Sequence, residues 1–242
     1  MTQPHPTLSL VILCYRSEDS AREFTARTLT MMREHGIESF ELILVGNFDE
    51  GSSDRTPEVV RELAASDPRI RCLTEPKQGM MGWDLRSGLR DARGAYIAFI
   101  DGDGQMPIGD VGRLFKLIEN SAFDLVKTHR VTRADGWKRR VLSTGYNIVF
   151  RLLFPGLKAR DMNAKPKLMR RDAYEKMQLT SDGWFIDAEI MIETLRHKML
   201  IAEIPTEFRR LHRRASFVSL GAVFEFLTNL IRCRFREFFR RP

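Results

Sequence analysis

The chain predicts an α/β fold, a largely parallel sheet with helices on both faces. Three observations carry the prediction. Short apolar runs alternate with helical stretches from Leu8 to Thr128. Glycine, proline and aspartate punctuate the joints between them. The composition, 43% hydrophobic and 29% charged over 242 residues, is that of a globular chain long enough to bury a core.

The elements follow in order. Leu8–Cys14 is apolar and partly β-branched, as a buried strand should be. Residues 18–35 read as a helix ended by Gly36, and Phe40–Val45 is a second strand. Asp54–Ala65 is a helix with Pro57 in its first turn, where the missing N–H costs nothing. Arg69–Thr74 is a third strand, Met81–Ala92 a helix stopped by Gly94, and Ala95–Ile100 a fourth strand. Ile108–Glu119 is helical and Asp124–Thr128 is a fifth strand. Strands joined through helices lie parallel, and ligands of such sheets sit beyond the strands' carboxyl ends. Those ends are Tyr15–Glu18, Gly46–Asp54, Thr74–Gly82 and Asp101–Pro107.

Charge is unevenly placed. From Glu207 onward nine arginines face three glutamates, so this end carries +6 of the net +7. A basic end suits nucleic acid, anionic lipid or a phosphorylated substrate, and equally a solvated basic helix. Residues 217–239 place Leu220, Val223, Phe224, Leu227, Leu230, Ile231, Phe235, Phe238 and Phe239 on a helical stripe. That stripe fits a helix docked on the domain or one lying on a membrane surface. It does not form a base-stacking platform, so nucleic acid is not an expected partner. The expected division is 1–216 for the α/β domain and 217–242 for the basic helix. Cys14, Cys72 and Cys233 form no CxxC pair, which argues against zinc or a disulfide framework. There is no signal-peptide pattern or spanning segment, so the expectation is cytoplasmic, unless the tail rests on the cytosolic face of a membrane.

The sharpest cluster is Asp101-Gly102-Asp103-Gly104-Gln105, directly after the strand YIAFI. Two carboxylates there can converge on Mg2+ or Mn2+, with the Gln105 amide oxygen as a further ligand, while Gly102 and Gly104 let the backbone turn beneath. An Asp/Gly turn without a metal has the same letters. Asp49-Glu50-Gly51-Ser52-Ser53-Asp54 is a second acidic turn, whose Asp54 also suits a helix cap.

Taken together these motifs resemble the family 2 glycosyltransferases of GT-A (Rossmann-like) fold, closest to polyprenyl-phosphate glycosyltransferases of the dolichol-phosphate mannosyltransferase type. The resemblance rests on an ordered series: Cys14-Tyr15-Arg16-Ser17-Glu18, then Asp49–Asp54, then Lys77-Gln78-Gly79-Met80-Met81-Gly82, then Asp101, Asp103, Gln105 and Pro107. Proline and asparagine are missing from the first motif, and Gly46-Asn47-Phe48 is extra before the second. The resemblance implies a GT-A mostly parallel mixed sheet and a GDP- or UDP-linked sugar donor held by Tyr15, Glu18, Asp49, Lys77, Gly79 and Gly102. It implies a metal on Asp101, Asp103 and Gln105.

For the acceptor side it implies phosphate binding by Arg130, Arg139 and Ser143, and sugar or phosphate contacts from Asp161, Asn163 and Lys165. Asp187, in Trp184–Glu189, matches the base of hydroxyl-accepting relatives. Phe208–Phe217 matches a lid over the pyrophosphate: Ser216 is present, and Arg210, His212 or Arg213 stand in for a displaced arginine. The expected enzyme is a metal-dependent inverting glycosyltransferase acting on a polyprenyl phosphate, whose acceptor is already ionised. The alternatives are a hydroxyl acceptor with Asp187 as base, or a basic binding protein without catalysis.

Overall fold

The computed structural model describes residues 5–133, 145, 148–157, 159–208 and 220–239. β1 (Leu8–Leu13) is followed by α1 (Asp19–Glu34), β2 (Phe40–Val45), α2 (Thr56–Ser66) and β3 (Ile70–Leu73). Then come α3 (Met81–Asp91), β4 (Tyr96–Asp101), α4 (Gly109–Glu119) and β5 (Leu125–Arg133). The chain continues through β6 (Lys167–Arg170), α5 (Arg171–Lys176), α6 (Ile186–Arg196), β7 (Ile201–Phe208) and α7 (Leu220–Phe239).

Seven strands make one sheet in the order β3-β2-β1-β4-β6-β5-β7. β1 runs parallel to β2 and β4, β2 to β3, and β5 to β7. β6 alone is antiparallel, between β4 and β5. β1 and β2 are buried along their whole length, including Ser9 and Glu41, which bond each other, as in a sheet covered on both faces. Leu8, Leu10 and Ile12 of β1 face the core beneath α1, α2 and α4, with Phe24, Val60 and Leu114. Val11 and Leu13 face the opposite core with Leu85 and Leu89 of α3 and Ile190 of α6.

Three expectations need correcting. The fifth strand runs on to Arg133 instead of ending at Thr128, because it pairs with β7 along its length. β6 was not anticipated: its sequence, Lys-Leu-Met-Arg, is four residues long and opens on a charge. The helix expected from Asp54 starts at Thr56, and Asp54 Oδ1 accepts the Thr56 N–H at 3.0 Å.

The terminal helix packs on the domain through part of its stripe. Leu230 is fully buried, Phe226 meets Phe185 edge-on at 6.2 Å, and Arg234 lies over the Phe154 ring at 6.0 Å. Ile231 and Phe235 are exposed. No helix among the described residues is long and apolar enough to cross a membrane.

Candidate active site

The carboxyl ends of β1–β4 gather the expected donor residues. Asp101, the last residue of β4, lies beside Leu13, the last residue of β1. After β1 the chain turns sharply, with Arg16 and Glu18 both at positive φ, 50° and 43°. Thr56 Oγ1 holds that turn by accepting the N–H groups of Ser17 and Glu18, each at 2.9 Å. The Glu18 side chain is exposed. Tyr15 Oη donates to Asp49 Oδ2 at 2.7 Å, and Arg16 reaches the same oxygen at 3.2 Å. Burial and then the Asp49 bond push the Tyr15 phenol up to about 12, while that bond holds the Asp49 carboxyl below its ordinary range.

Lys77 lies over the Tyr15 ring at 4.4 Å and pairs with buried Asp84 of α3. Asn47, one of the extra residues before Asp49, ties these pieces together. Its Nδ2 donates to Asp84 at 3.0 Å and its Oδ1 accepts the Glu75 N–H at 2.9 Å. Sequence reasoning treated Asn47 as an insertion. Its position after a strand end, where a side-chain amide can bridge two loops, was the available signal.

The glycines of this edge serve close packing. A Cβ on Gly79 would lie 2.8 Å from the Trp83 Cβ, and one on Gly82 would lie 2.5 Å from the Gly183 carbonyl oxygen. Met80 and Gly82 donate their N–H groups to the carbonyls of Asp182 and Gly183 at 2.8 and 3.0 Å. Glu189 of α6 fixes the same loop by accepting the Ser181 N–H at 2.9 Å and the Thr180 hydroxyl at 2.8 Å. Gly102 passes 3.0 Å from the Leu13 carbonyl measured from its Cβ position, and Gly104 has φ 73°.

At the acidic loop, Asp103 Oδ1 accepts the Gln105 N–H at 2.9 Å. Asp101 receives Lys165 Nζ on both carboxylate oxygens, at 2.8 and 3.0 Å. Lys165 Nζ also lies 3.0 Å from Met81 Sδ and 3.4 Å from Asp187 Oδ2. Lys167 completes the cluster by pairing with Asp187 from the other side. Lys165, Lys167 and Asp187 are all buried. Burial works against each charge. For Lys165 the carboxylates of Asp101 and Asp187 outweigh it and raise its pKa, whereas for Lys167 burial wins and leaves it near 8. Asp187 is held below the ordinary carboxylate range because its two ammonium neighbours outweigh its burial.

Among the described residues no three His, Cys, Asp or Glu side chains converge as a ready cation cage. Asp101 and Asp103 still fit a hard cation of the Mg2+ or Mn2+ kind, which takes one or two carboxylates and completes its shell with water and substrate phosphates. Gln105 enters that loop through its backbone N–H.

On the acceptor side, Arg130 of β5 forms a two-pronged pair with Asp161, at 2.7 and 2.9 Å, and covers the Phe208 ring at 5.7 Å. Lys127, fully buried, donates to the Asp161 carbonyl and to Glu203 at 3.0 Å. Asn163 Oδ1 is buried without a hydrogen-bond partner among the described residues. Thus Asp161 engages Arg130 and Lys165 engages Asp101. Arg139, Ser143, Arg210, His212, Arg213 and Ser216 lie outside the described residues. Lys167 and Met81 were not singled out from sequence. Lys165 and Lys167 stand two apart, and that spacing places side chains on one face of an extended segment.

This sheet, with acidic turns at its carboxyl edge and one antiparallel strand beyond β4, has the architecture of a GT-A fold. Glucosyl-3-phosphoglycerate synthase from Mycobacterium tuberculosis, solved with Mn2+ and UDP, has the same fold: TM-score 0.70 at 19% identity, covering 95% of this chain and 80% of that one. The family model for glycosyl transferase family 2 matches residues 9–183, more than half of the chain. The protein belongs to glycosyl transferase family 2. Among its relatives is a dolichyl-phosphate beta-glucosyltransferase of Trichomonas vaginalis, 25% identical across 95% of this chain and 73% of the relative. Another is the dolichol-phosphate mannosyltransferase of Pyrococcus furiosus, 25% identical across 93% of this chain and 63% of the relative. An undecaprenyl-phosphate 4-deoxy-4-formamido-L-arabinose transferase of Pectobacterium carotovorum is 34% identical across 60% of this chain and 43% of the relative.

Proposed function

We propose that this glycosyltransferase moves a sugar from a nucleoside diphosphate sugar to a polyprenyl phosphate, with inversion at the anomeric carbon. The observation that carries the choice of acceptor is the state of Asp187. A hydroxyl acceptor needs a base to take its proton, and a good base has a pKa near working pH and reach to its substrate. Asp187 is 3% exposed, clamped by Lys165 and Lys167, and held below the ordinary carboxylate range. A phosphate acceptor is already ionised and needs no such base. Relatives named for transfer to dolichyl and undecaprenyl phosphates support the same reading.

In this reading Tyr15 and Asp49 receive the nucleoside, with Lys77 fixing the Tyr15 ring from above. Asp101 and Asp103 face the diphosphate and hold Mg2+ or Mn2+. When bound, that cation offsets the charge gathering on the departing nucleoside diphosphate. Arg130, oriented by Asp161, turns a guanidinium toward the acceptor phosphate, to which such forks are suited. Arg139, Ser143, Arg210, Arg213 and Ser216 complete the phosphate contacts by sequence position. The exposed Ile231 and Phe235, with the neighbouring arginines of α7, serve as a membrane-surface contact.

The test is transfer of radiolabelled sugar by the purified protein, from UDP- and GDP-linked donors with Mn2+, onto a polyprenyl phosphate in detergent and onto free sugars. The expected product is a lipid-linked sugar phosphate cleaved by mild acid. Label appearing only on hydroxyl acceptors overturns the proposal.

A further inference from the structure

Lys165 occupies an unusual place. Its ammonium chelates Asp101 through both carboxylate oxygens, at 2.8 and 3.0 Å, at the point where the acidic loop meets the donor site. It is 4% exposed and has little freedom to leave. Met81 Sδ at 3.0 Å and Asp187 at 3.4 Å hold the amine, and Thr128 Oγ1 donates to the Lys165 carbonyl at 2.7 Å. One lone pair on each Asp101 oxygen is therefore already directed at an internal cation. The charges in the cluster agree with this. Lys165 and Lys167 together match the two carboxylates of Asp101 and Asp187, with Lys165 reaching both, so Asp101 meets a diphosphate with its charge already offset.

We propose that Lys165 is a positioning residue of the donor site, a built-in counter-cation for Asp101. It weakens the hold of Asp101 on a divalent cation and lets a nucleoside diphosphate bind without metal. The inference rests on the nucleotide-sugar donor reading above. It follows from elementary electrostatics: removing a positive charge beside a carboxylate strengthens that carboxylate toward Mn2+ and repels an unaccompanied diphosphate.

The test measures binding only. Mn2+ affinity is read by electron paramagnetic resonance, and affinity for UDP and GDP by calorimetry in EDTA and in Mn2+. These are compared for the wild-type protein, Lys165→Met and Lys165→Arg. In the wild type, one nucleotide should bind in EDTA within about tenfold of its Mn2+ value. Lys165→Met should bind Mn2+ about tenfold more tightly and lose about tenfold or more of its metal-free nucleotide affinity. Lys165→Arg should restore metal-free binding, which a merely structural lysine would not require. Should Lys165→Met fold poorly, Lys165→Gln carries the same two expectations. Unchanged Mn2+ and nucleotide affinities in the charge-free variant overturn the inference, as does a wild type that binds nucleotide only with Mn2+. In either case the donor reading stands. Failure of both nucleotides to bind the wild type under every condition overturns the donor reading and this inference with it.

Discussion

The two halves of the sheet hold their charges differently. At the β1–β4 edge Asp49 is 44% exposed and its partner Arg16 51%, so water shares that ion pair. Across β6, Asp161 and Asp187 are about as buried as core side chains, at 5% and 4%, and each is met by lysine or arginine. An exposed pair contributes little to stability. A buried one is costly to break, because removing one partner leaves the other charged in a poor solvent. The β1–β4 edge is thus shaped mainly by backbone turns around one buried pair, Lys77–Asp84, and the edge across β6 by ion pairs between segments distant in sequence.

The largest effect expected from this contrast is for Asp187→Asn. It strands the fully buried Lys167 ammonium, at a cost of about 4 kcal/mol by urea unfolding. Lys167→Met should cost less, about 2 kcal/mol, because Asp187 still shares Lys165, at 3.4 Å, with Asp101. Equal, small losses in both would show that the cluster does not hold. The pH dependence has a definite sign. The folded Asp187 pKa lies below the unfolded value of 3.8, so its stabilisation is present above 3.8 and is lost as pH falls through the folded pKa. Asp187→Asn should flatten that acid limb. The same variant is a poor probe of general-base catalysis, since lost transfer and lost stability would coincide.

The joint between the halves should show the next effect. Gly82 opens α3 against the loop fixed by Glu189, and an added methyl would meet the Gly183 carbonyl oxygen at 2.5 Å. Backbone cannot give way as a side chain can, so Gly82→Ala should cost about 2 kcal/mol. Gly109 at the start of α4 has nothing within 4 Å of its Cβ position, and Gly109→Ala should be near neutral in the same thermal melts. Parity of the two variants would mean that the joint is loose.

The same contrast explains what could be read from sequence. Strands β1, β2 and β4 are mainly apolar runs, and acidic turns follow β2 and β4, local signals that need no partner to be recognised. Asp101, Asp103, Tyr15 and Asp49 stood out for that reason. β6 carries Lys167 at its head and Pro166 before it, which reads as a loop until Asp187, twenty residues on, is seen to neutralise the lysine. Arg130 and Asp161 were each noticed, but their pairing across 31 residues was not legible. Lys165 was read as a phosphate ligand because its charge was visible and its carboxylate partner, 64 positions earlier, was not. Local patterns declare themselves in one dimension, whereas ion pairs that depend on strand order do so only once the order is known.

The smallest effect belongs to the donor edge. Tyr15→Phe deletes one hydrogen bond, 2.7 Å long, to an Asp49 that Arg16 and water also serve. The loss should therefore be about 0.5–1 kcal/mol in urea. Titration gives the sharper reading. The Tyr15 phenol, raised to about 12 from 10.0, keeps its proton in the folded chain after the unfolded chain has lost it. Between those values stability must fall as pH rises, and this contribution is intact only below 10. Phenolate absorbance should show a tyrosine ionising near 12, and that step should vanish in Tyr15→Phe. A high-pH profile that Tyr15→Phe leaves unchanged would mean that Asp49 does not hold the phenol and that this edge is looser than drawn.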